Sequence, residues 1–298
     1  MIRFLAFLAL LATPAFAAPQ WGVNIAGGEF GSGSRYGYDY LYPQPGDITT
    51  VKAMGAQVVR VPVQVDRVAG SMAELRKAIA DDRAAGLPVI IDLHAFGTFL
   101  NRPRADRIAF LKTLLLPYKS QSSAVMIELD NEPVNDPLAM EHADETITDL
   151  RNAGFRSRVL TPSRGWSGVQ DFVGNGSAGV AAKETDTNTW TVVHWYGDDD
   201  NSGTKSECDP NAADRLDAAI ATGLPLAITE AGAYDTPTCR AVLAKFKAKV
   251  NAAPNVKLVT WWGYARWFPE TYPMALRKQD GTVTRLFHCL MWVKGVCP

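Results

Sequence analysis

Short apolar runs rich in Val and Ile recur along the chain, and each leads into a longer stretch of helical character. "WGVNIAG" is followed by "DITTVKAMGA", "QVVRVPV" by "SMAELRKAIADDRAAG", "LPVIIDLHA" by "ADRIAFLKTLLLPYK" and "AVMIELDNEP" by "AMEHADETITDLRNAG". The second half repeats the scheme. "SRVLTPS" is followed only by a short "SGVQDFVG", "WTVVHWY" by "NAADRLDAAIATG", "LPLAITEAG" by "PTCRAVLAKFKAKVNA", and "VKLVTWWGY" by a C-terminal "LFHCLMWV". The short runs are nearly continuous in apolar residues rather than alternating, so they read as strands buried on both faces, as parallel strands are. Gly86, Gly154 and Gly223 stand where helices should stop. Eight strand–helix units predict an α/β fold, a single (β/α)8 TIM barrel. An open doubly wound sheet would want a glycine-rich phosphate turn that opens a helix behind the first strand. "NIAGGEFGSGS" supplies glycines with no helix directly after them.

The first residues stand outside this pattern. "MIRFLAFLALLATPAFAAPQ" has Arg3, an apolar core from Phe4 to Ala12, and the small-residue motif Ala15-Phe16-Ala17. This predicts a secretory signal peptide over 1–17 and a mature domain over 18–298, secreted or periplasmic. The apolar core is too short to span a bilayer, and no later segment is long enough, so no membrane association is expected after cleavage.

A net charge of −1 without a basic or acidic block argues against nucleic acid and anionic lipid as partners. Four cysteines in an oxidising compartment predict two disulfides. Of three possible connectivities, the local one is favoured, Cys208 with Cys239 and Cys289 with Cys297. No Cys-x-x-Cys appears and no His sits at finger spacing, so zinc is not expected. "DDDNSG" at 198–203 resembles a calcium loop only in part: its twelfth position is Asp209 rather than Glu, and no helix precedes it. A solvated loop pinned by Cys208 is expected there.

Candidate chemistry lies at the strand ends, because a barrel of this kind carries its site at the C-terminal face. In order these ends offer Asn24, Arg60, His94, Asn131 with Glu132, Trp166, His194 with Tyr196, Glu230, and Trp261 with Trp262. Nearly every strand finishes in a group that binds a proton, donates a hydrogen bond or stacks. Glu132 follows the fourth strand and Glu230 the seventh, on opposite sides of a small barrel's mouth. Such a pair suits glycoside hydrolysis, which needs one acid to protonate the leaving oxygen and one carboxylate to attack carbon or activate water. Taken alone, Glu132 reads as an acid near a Pro turn and His94 and His194 as core histidines; together at strand ends they read as a site. Arg60, inside "VVRVPV", must have a carboxylate partner if buried, and Glu128 and Glu230 are both candidates. Trp262 suits a sugar-stacking platform, Trp261 fits the core almost equally well, and Trp166 fits either. Tyr36, Tyr38, Tyr40 and Tyr42 form an aromatic loop read as a cover for the barrel.

The segments "VVRVPV", "DLHAF", "LDNEPV", "VVHWYG", "AITEAG" and "TWWG", in that order, resemble glycoside hydrolase family 5, a family of retaining (β/α)8 glycosidases. "GVNIAGGEFG" and "DDDNSGTKSEC" look most like its cellulase subfamily 5. The resemblance covers essentially the whole mature chain. It implies Glu132 as acid/base, Glu230 as nucleophile, and Asn131 as a ligand of the sugar 2-hydroxyl. It also implies that His194 and Tyr196 position the carboxylates and that Arg60 keeps Glu230 ionised. Two departures stand out: Ala95, Phe96 and Gly97 follow His94 where relatives carry Asn, Tyr and a basic residue, and Asp130 takes a place more often apolar.

The sequence therefore predicts an exported O-glycosyl hydrolase, an endo-β-1,4-glucanase of cellulase type. It would need no cofactor and no metal and would act as a monomer on a polysaccharide or oligosaccharide. Supporting residues are Arg60, His94, Asn131, His194 and Tyr196; substrate-binding residues are Trp262, Trp166 and Asn24. A β-mannanase, an exopolysaccharide-processing glycanase or transglycosylase, and a catalytically silent carbohydrate-binding protein are the competing readings.

Overall fold

The computed structural model describes residues 18–121 and 123–291. Eight parallel strands, β1 (Gln20–Ile25), β2 (Val58–Val63), β3 (Val89–Leu93), β4 (Val125–Glu128), β5 (Arg158–Thr161), β6 (Thr189–Tyr196), β7 (Leu226–Gly232) and β8 (Val256–Tyr264), pair in chain order, and β8 returns to β1 to close a barrel. Around it lie α1 (Pro45–Ala53), α2 (Val65–Val68), α3 (Met72–Ala84), α4 (Arg104–Leu115), α5 (Ala139–Asn152), α6 (Ser177–Ala181), α7 (Leu216–Ala221), α8 (Pro237–Ala252) and α9 (Arg285–Leu290). The expected (β/α)8 architecture is the one observed. Pattern and structure part after β5, where "SGVQDFVG" folds as turns and α6 forms just beyond it. Eight residues, 167–174, with glycine at 168 and 174, are too few to hold a helix without support.

Strand alternation builds the interior in layers. Val58, Ile90, Met126, Leu160, Val192, Ala227 and Leu258 supply one residue each from β2 to β8 to a closed apolar plug. Two positions further along six of these strands come Arg60, Asp92, Glu128, His194, Thr229 and Thr260, all buried. The side-chain period of two puts them on the same inward face, one layer nearer the C-terminal mouth. The outward residues between them, among them Val59, Ile91, Ile127, Val193, Ile228 and Val259, pack in the core beneath the helices. Both strand faces are thus buried, which is why the runs read as nearly continuous apolar sequence.

The disulfide Cys208–Cys239 ties the loop after β6 to the first turn of α8. The pairing expected for Cys289 involves residue 297 and lies outside the described residues, as does the expected signal peptide over 1–17. Among the described residues no helix is long and apolar enough to cross a membrane. Tyr40 and Tyr42 are buried as a cover would be, while Tyr38 at the tip of that loop is exposed.

Candidate active site

Arg60 stands at the centre of the polar layer with no accessible surface, and its five N–H groups meet five acceptors. Nε and Nη2 donate to Glu128 Oε2 and Oε1 at 2.8 Å each. Nη1 donates to Asn24 Oδ1 and to Glu230 Oε1, both at 2.8 Å, and Nη2 also donates to Asn131 Oδ1 at 2.7 Å. A carboxylate oxygen of Asp92 lies 3.0 Å from Nη2. Of the two partners that the sequence left open for Arg60, the structure uses both. Asn24 corrects an expectation. It pairs in register with Arg60, is fully buried, and its Nδ2 donates to the Thr229 carbonyl at 2.9 Å. Both ends of its amide are committed, so it orients Arg60 and does not reach substrate.

Glu230 faces the barrel mouth because β7 is irregular. Thr229 and Glu230 are chain neighbours, yet both point inward, which a regular strand forbids. Register shifts against β6 and β8 around these residues resolve the conflict, as a bulge re-aims a side chain. Tyr196 donates from its hydroxyl to Glu230 Oε2 at 2.6 Å, so each carboxylate oxygen holds one donor. Burial opposes ionisation here, but the charges of His194, Arg60 and His94 and the Tyr196 bond outweigh it, drawing the Glu230 carboxyl down to about 2.

Glu132 comes four residues after β4 and has a left-handed backbone, φ 45°, a region that a non-glycine residue enters at a cost. Its Oε1 lies 2.8 Å from His194 Nδ1. The other ring nitrogen, Nε2, is 3.1 Å from Thr229 Oγ1, and that hydroxyl is also 3.2 Å from Glu128 Oε1. A hydroxyl has one proton, and the carboxylate of Glu128 only accepts, so Thr229 donates to Glu128 and accepts from His194 Nε2–H. The ring then meets Glu132 through Nδ1, either as imidazolium to carboxylate or as neutral base to carboxylic acid. Burial disfavours the cation, yet the charge of Glu230 and the bond to Glu132 hold His194 above its ordinary value. One oxygen each of Glu132 and Glu230 and one nitrogen of His194 lie within 4.8 Å of one another.

Three such donors could also be read as a metal site. Here, however, His194 Nε2 is on Thr229, Nδ1 is on Glu132, and both oxygens of Glu230 hold protein donors, one of them the cation Arg60. That is an acid pair whose facing atoms are already held by protein hydrogen bonds.

The pair opens onto a cleft of roughly 450 Å³ whose lining includes His94, Asn131, Tyr196, Tyr234, Trp262 and Tyr272. His94 is held by Asp92 Oδ2 at 2.7 Å from Nδ1. Burial presses its value down, but the charge and hydrogen bond of Asp92 carry it up to about 9. Trp262 lies nearly parallel to the His94 ring, 19° between planes and 6.2 Å between centres, and donates from Nε1 to the Tyr272 hydroxyl at 3.1 Å.

A profile described as "Cellulase (glycosyl hydrolase family 5)" matches residues 18–266. The chain belongs to glycosyl hydrolase family 5. Relatives include "Endoglucanase gh5-1" of Neurospora crassa, 23% identical with 91% of this chain and 76% of that protein aligned. "Endo-beta-1,4-glucanase A" of Emericella nidulans is 25% identical, with 88% of each covered. Among solved structures, an endo-beta-1,4-glucanase of Xanthomonas axonopodis pv. citri superposes with a TM-score of 0.84 at 24% identity, covering 92% of this chain and 97% of that one. XacCel5A in complex with cellopentaose gives the same score at 23% identity, over 92% and 99%. These structural likenesses establish the shared fold.

In this family 5 hydrolase the expected aromatic residues divide. Trp261 is fully buried and stacks on Trp21 at 5.5 Å between ring centres, whereas Trp262, its neighbour, lines the cleft. Trp166 is 63% exposed, and its ring meets that of Phe96 on the cleft wall. Sequence reasoning did not select Asp92, Thr229 or Tyr272. "DLH" carried the signal for Asp92, since positions two apart on a strand share a face. Tyr272 lies in "PETYPM", a loop after β8 whose sequence has no periodicity to read.

Proposed function

We propose that this family 5 hydrolase is an exported, retaining endo-β-1,4-glucanase with Glu230 as nucleophile and Glu132 as general acid and base. The carrying observation is that an oxygen of Glu132 and an oxygen of Glu230 lie within 4.8 Å of each other at the floor of one open cleft. Retaining pairs stand about 5 to 5.5 Å apart and inverting pairs about 6.5 to 9.5 Å, because inversion must admit a water between acid and carbon.

In the first step a lone pair of Glu230 attacks the anomeric carbon, the glycosidic C–O bond breaks, and Glu132 gives its proton to the departing oxygen. The product is a glycosyl ester of Glu230 with inverted configuration. In the second step Glu132, now a carboxylate, takes a proton from water as that water attacks the same carbon, and Glu230 leaves unchanged. Two inversions give net retention. Arg60 and Tyr196 keep Glu230 charged and fix its plane, leaving a free lone pair on each oxygen. His194 bonds Glu132 in both protonation states, so the acid need not move when it becomes the base. Asn131, whose Oδ1 is taken by Arg60 and whose Nδ2 lies 3.4 Å from His94 Nε2, keeps a second amide N–H for the sugar 2-hydroxyl.

An open groove with aromatic rings beyond both carboxyls suits the interior of a chain better than its end. The relatives named endo-β-1,4-glucanases support glucan over mannan. The test is a panel of soluble β-1,4-glucan, mannan, xyloglucan and bacterial exopolysaccharide presented to the purified protein and to Glu230→Ala. The expected result is rapid loss of glucan viscosity with the native protein and none with the variant. Binding without turnover would point to the silent carbohydrate-binding alternative, and preference for mannan or exopolysaccharide would move the substrate within the same chemistry.

A further inference from the structure

β5 ends at Thr161, whereas its neighbour β6 runs on to Tyr196. The segment after β5 still covers that edge at His194, whose N–H donates to the Ser167 carbonyl at 2.7 Å and whose carbonyl accepts from Val169 N at 3.0 Å. Backbone groups alternate sides along a strand, so the next N–H on this edge is that of Tyr196. A side chain takes it in place of a strand. Asn201 Oδ1 accepts from Tyr196 N at 2.7 Å, and Asn201 Nδ2 reaches back to the His194 carbonyl at 3.4 Å. One amide thus spans the two residues that hold Glu132 and Glu230.

Asn201 lies on the loop 198–208, which the sequence presented as a solvated segment pinned by Cys208. Its outer residues are exposed, but the loop is built from within. Asp198 accepts from Gly203 N, Thr204 N and Lys205 N at 3.1, 3.0 and 3.2 Å. It also pairs with Cys208, which the disulfide ties to α8. Asn201 has φ 61°, a left-handed backbone that asparagine enters more readily than most residues. Glycine would enter it more easily still, but glycine has no acceptor to offer Tyr196.

The rest of Tyr196 is gripped from the same side. A Cβ on Gly203 would lie 2.7 Å from the Tyr196 ring, and Arg215 Nη1 donates to the Tyr196 carbonyl at 3.2 Å. The far end of the side chain is the hydroxyl that donates to Glu230 Oε2 at 2.6 Å. A bond this short tolerates little movement of the strand end that carries it.

We propose that Asn201 is a positioning residue for the nucleophile and acts through Tyr196. Its amide closes the edge of β6 beyond the end of β5 and so places the hydroxyl that fixes the Glu230 carboxylate. The proposal rests on the reading of Glu230 as nucleophile.

The test is a cycle of Asn201→Gly, Tyr196→Phe and the double variant on soluble β-1,4-glucan, with thermal melts to verify each fold. Asn201→Gly should lower kcat about tenfold with KM near its native value. With Tyr196 already replaced by Phe, the same change should lower kcat by no more than about twofold, because the bond it serves is gone. Asn201→Asp keeps an acceptor for Tyr196 N and should recover most of kcat. Equal losses in the two backgrounds, no loss in the native one, or the same loss for Gly and Asp would overturn the proposal. Full turnover by Glu230→Ala would overturn the nucleophile reading beneath it, whereas the cycle in an active enzyme bears on Asn201 alone.

Discussion

Arg60 clasps Glu128 with two of its nitrogens and touches Glu230 with one, every contact at 2.8 Å. The asymmetry divides the labour between two acids on one cation. The two-point bond to Glu128 fixes the guanidinium plane at the level of the barrel core. The one-point bond to Glu230 holds that carboxylate charged where it lines the cleft.

Replacing Arg60 should therefore damage stability and chemistry together. Arg60→Met leaves Glu128, Asp92 and Glu230 in a buried layer without their shared cation, and breaking such a set from one side costs about 3–5 kcal/mol. Urea denaturation should show a loss of that order, and whatever folds should have little turnover. A variant as stable and active as the native protein would show that Arg60 holds neither the layer nor Glu230.

Tyr196 gives the pH prediction. Glu230 is drawn down to about 2 from an ordinary value of 4.5, so the folded state binds this proton less tightly than the unfolded chain does. Its contribution to stability is fully present above about 4.5 and is lost as the pH falls toward about 2. Tyr196→Phe removes one of the bonds that favour the charged form. The acid limb of kcat/KM governed by the nucleophile should move to higher pH, and the maximum should fall roughly ten- to a hundredfold. An acid limb left in place with an unchanged maximum would contradict this role.

Asp82, far from the cleft on α3, carries a cost of its own. It has no accessible surface, and neither carboxylate oxygen meets a hydrogen-bond donor among the described residues. Burial first, then the charges of Asp81 and Asp47, pushes it up to about 8. The sign is opposite to that of Glu230: between about 4 and about 8 the folded state keeps a proton that the unfolded chain has lost, so stability falls as pH rises through that window. Asp82→Leu should flatten this dependence and stabilise the protein at pH 8 by about 1–3 kcal/mol. Chemical denaturation at pH 5 and pH 8 measures both effects, and a destabilised variant at pH 8 would show that the buried carboxyl carries no such cost.

The barrel and most of its mouth were legible because strand ends concentrate chemical residue types that a buried strand otherwise avoids. Glu132, Glu230, His194 and Tyr196 stand together where that logic put them. What the sequence withheld was height and local backbone. Asn24 looked like a rim residue, but its register with Arg60 sets it one layer down, where it meets protein instead of sugar. The irregularity of β7 that turns Thr229 and Glu230 to the same side leaves no mark in an alternating pattern. Nor do the left-handed backbones of Phe96 and Glu132, since neither residue type announces one. Asp130 was conspicuous in the sequence, but its purpose depended on three amides from another loop.

If Glu132 and Glu230 act in two successive displacements at one carbon, the anomeric form of the first product reveals it. Proton NMR of cellopentaose in deuterated buffer, recorded from the first minutes of turnover, separates the two anomers of the newly released reducing end. The β-anomer should appear first, and the α-anomer should grow in only at the rate of spontaneous mutarotation. An initial burst of the α-anomer would mean a single displacement by water and would contradict the assignment of Glu230 as nucleophile.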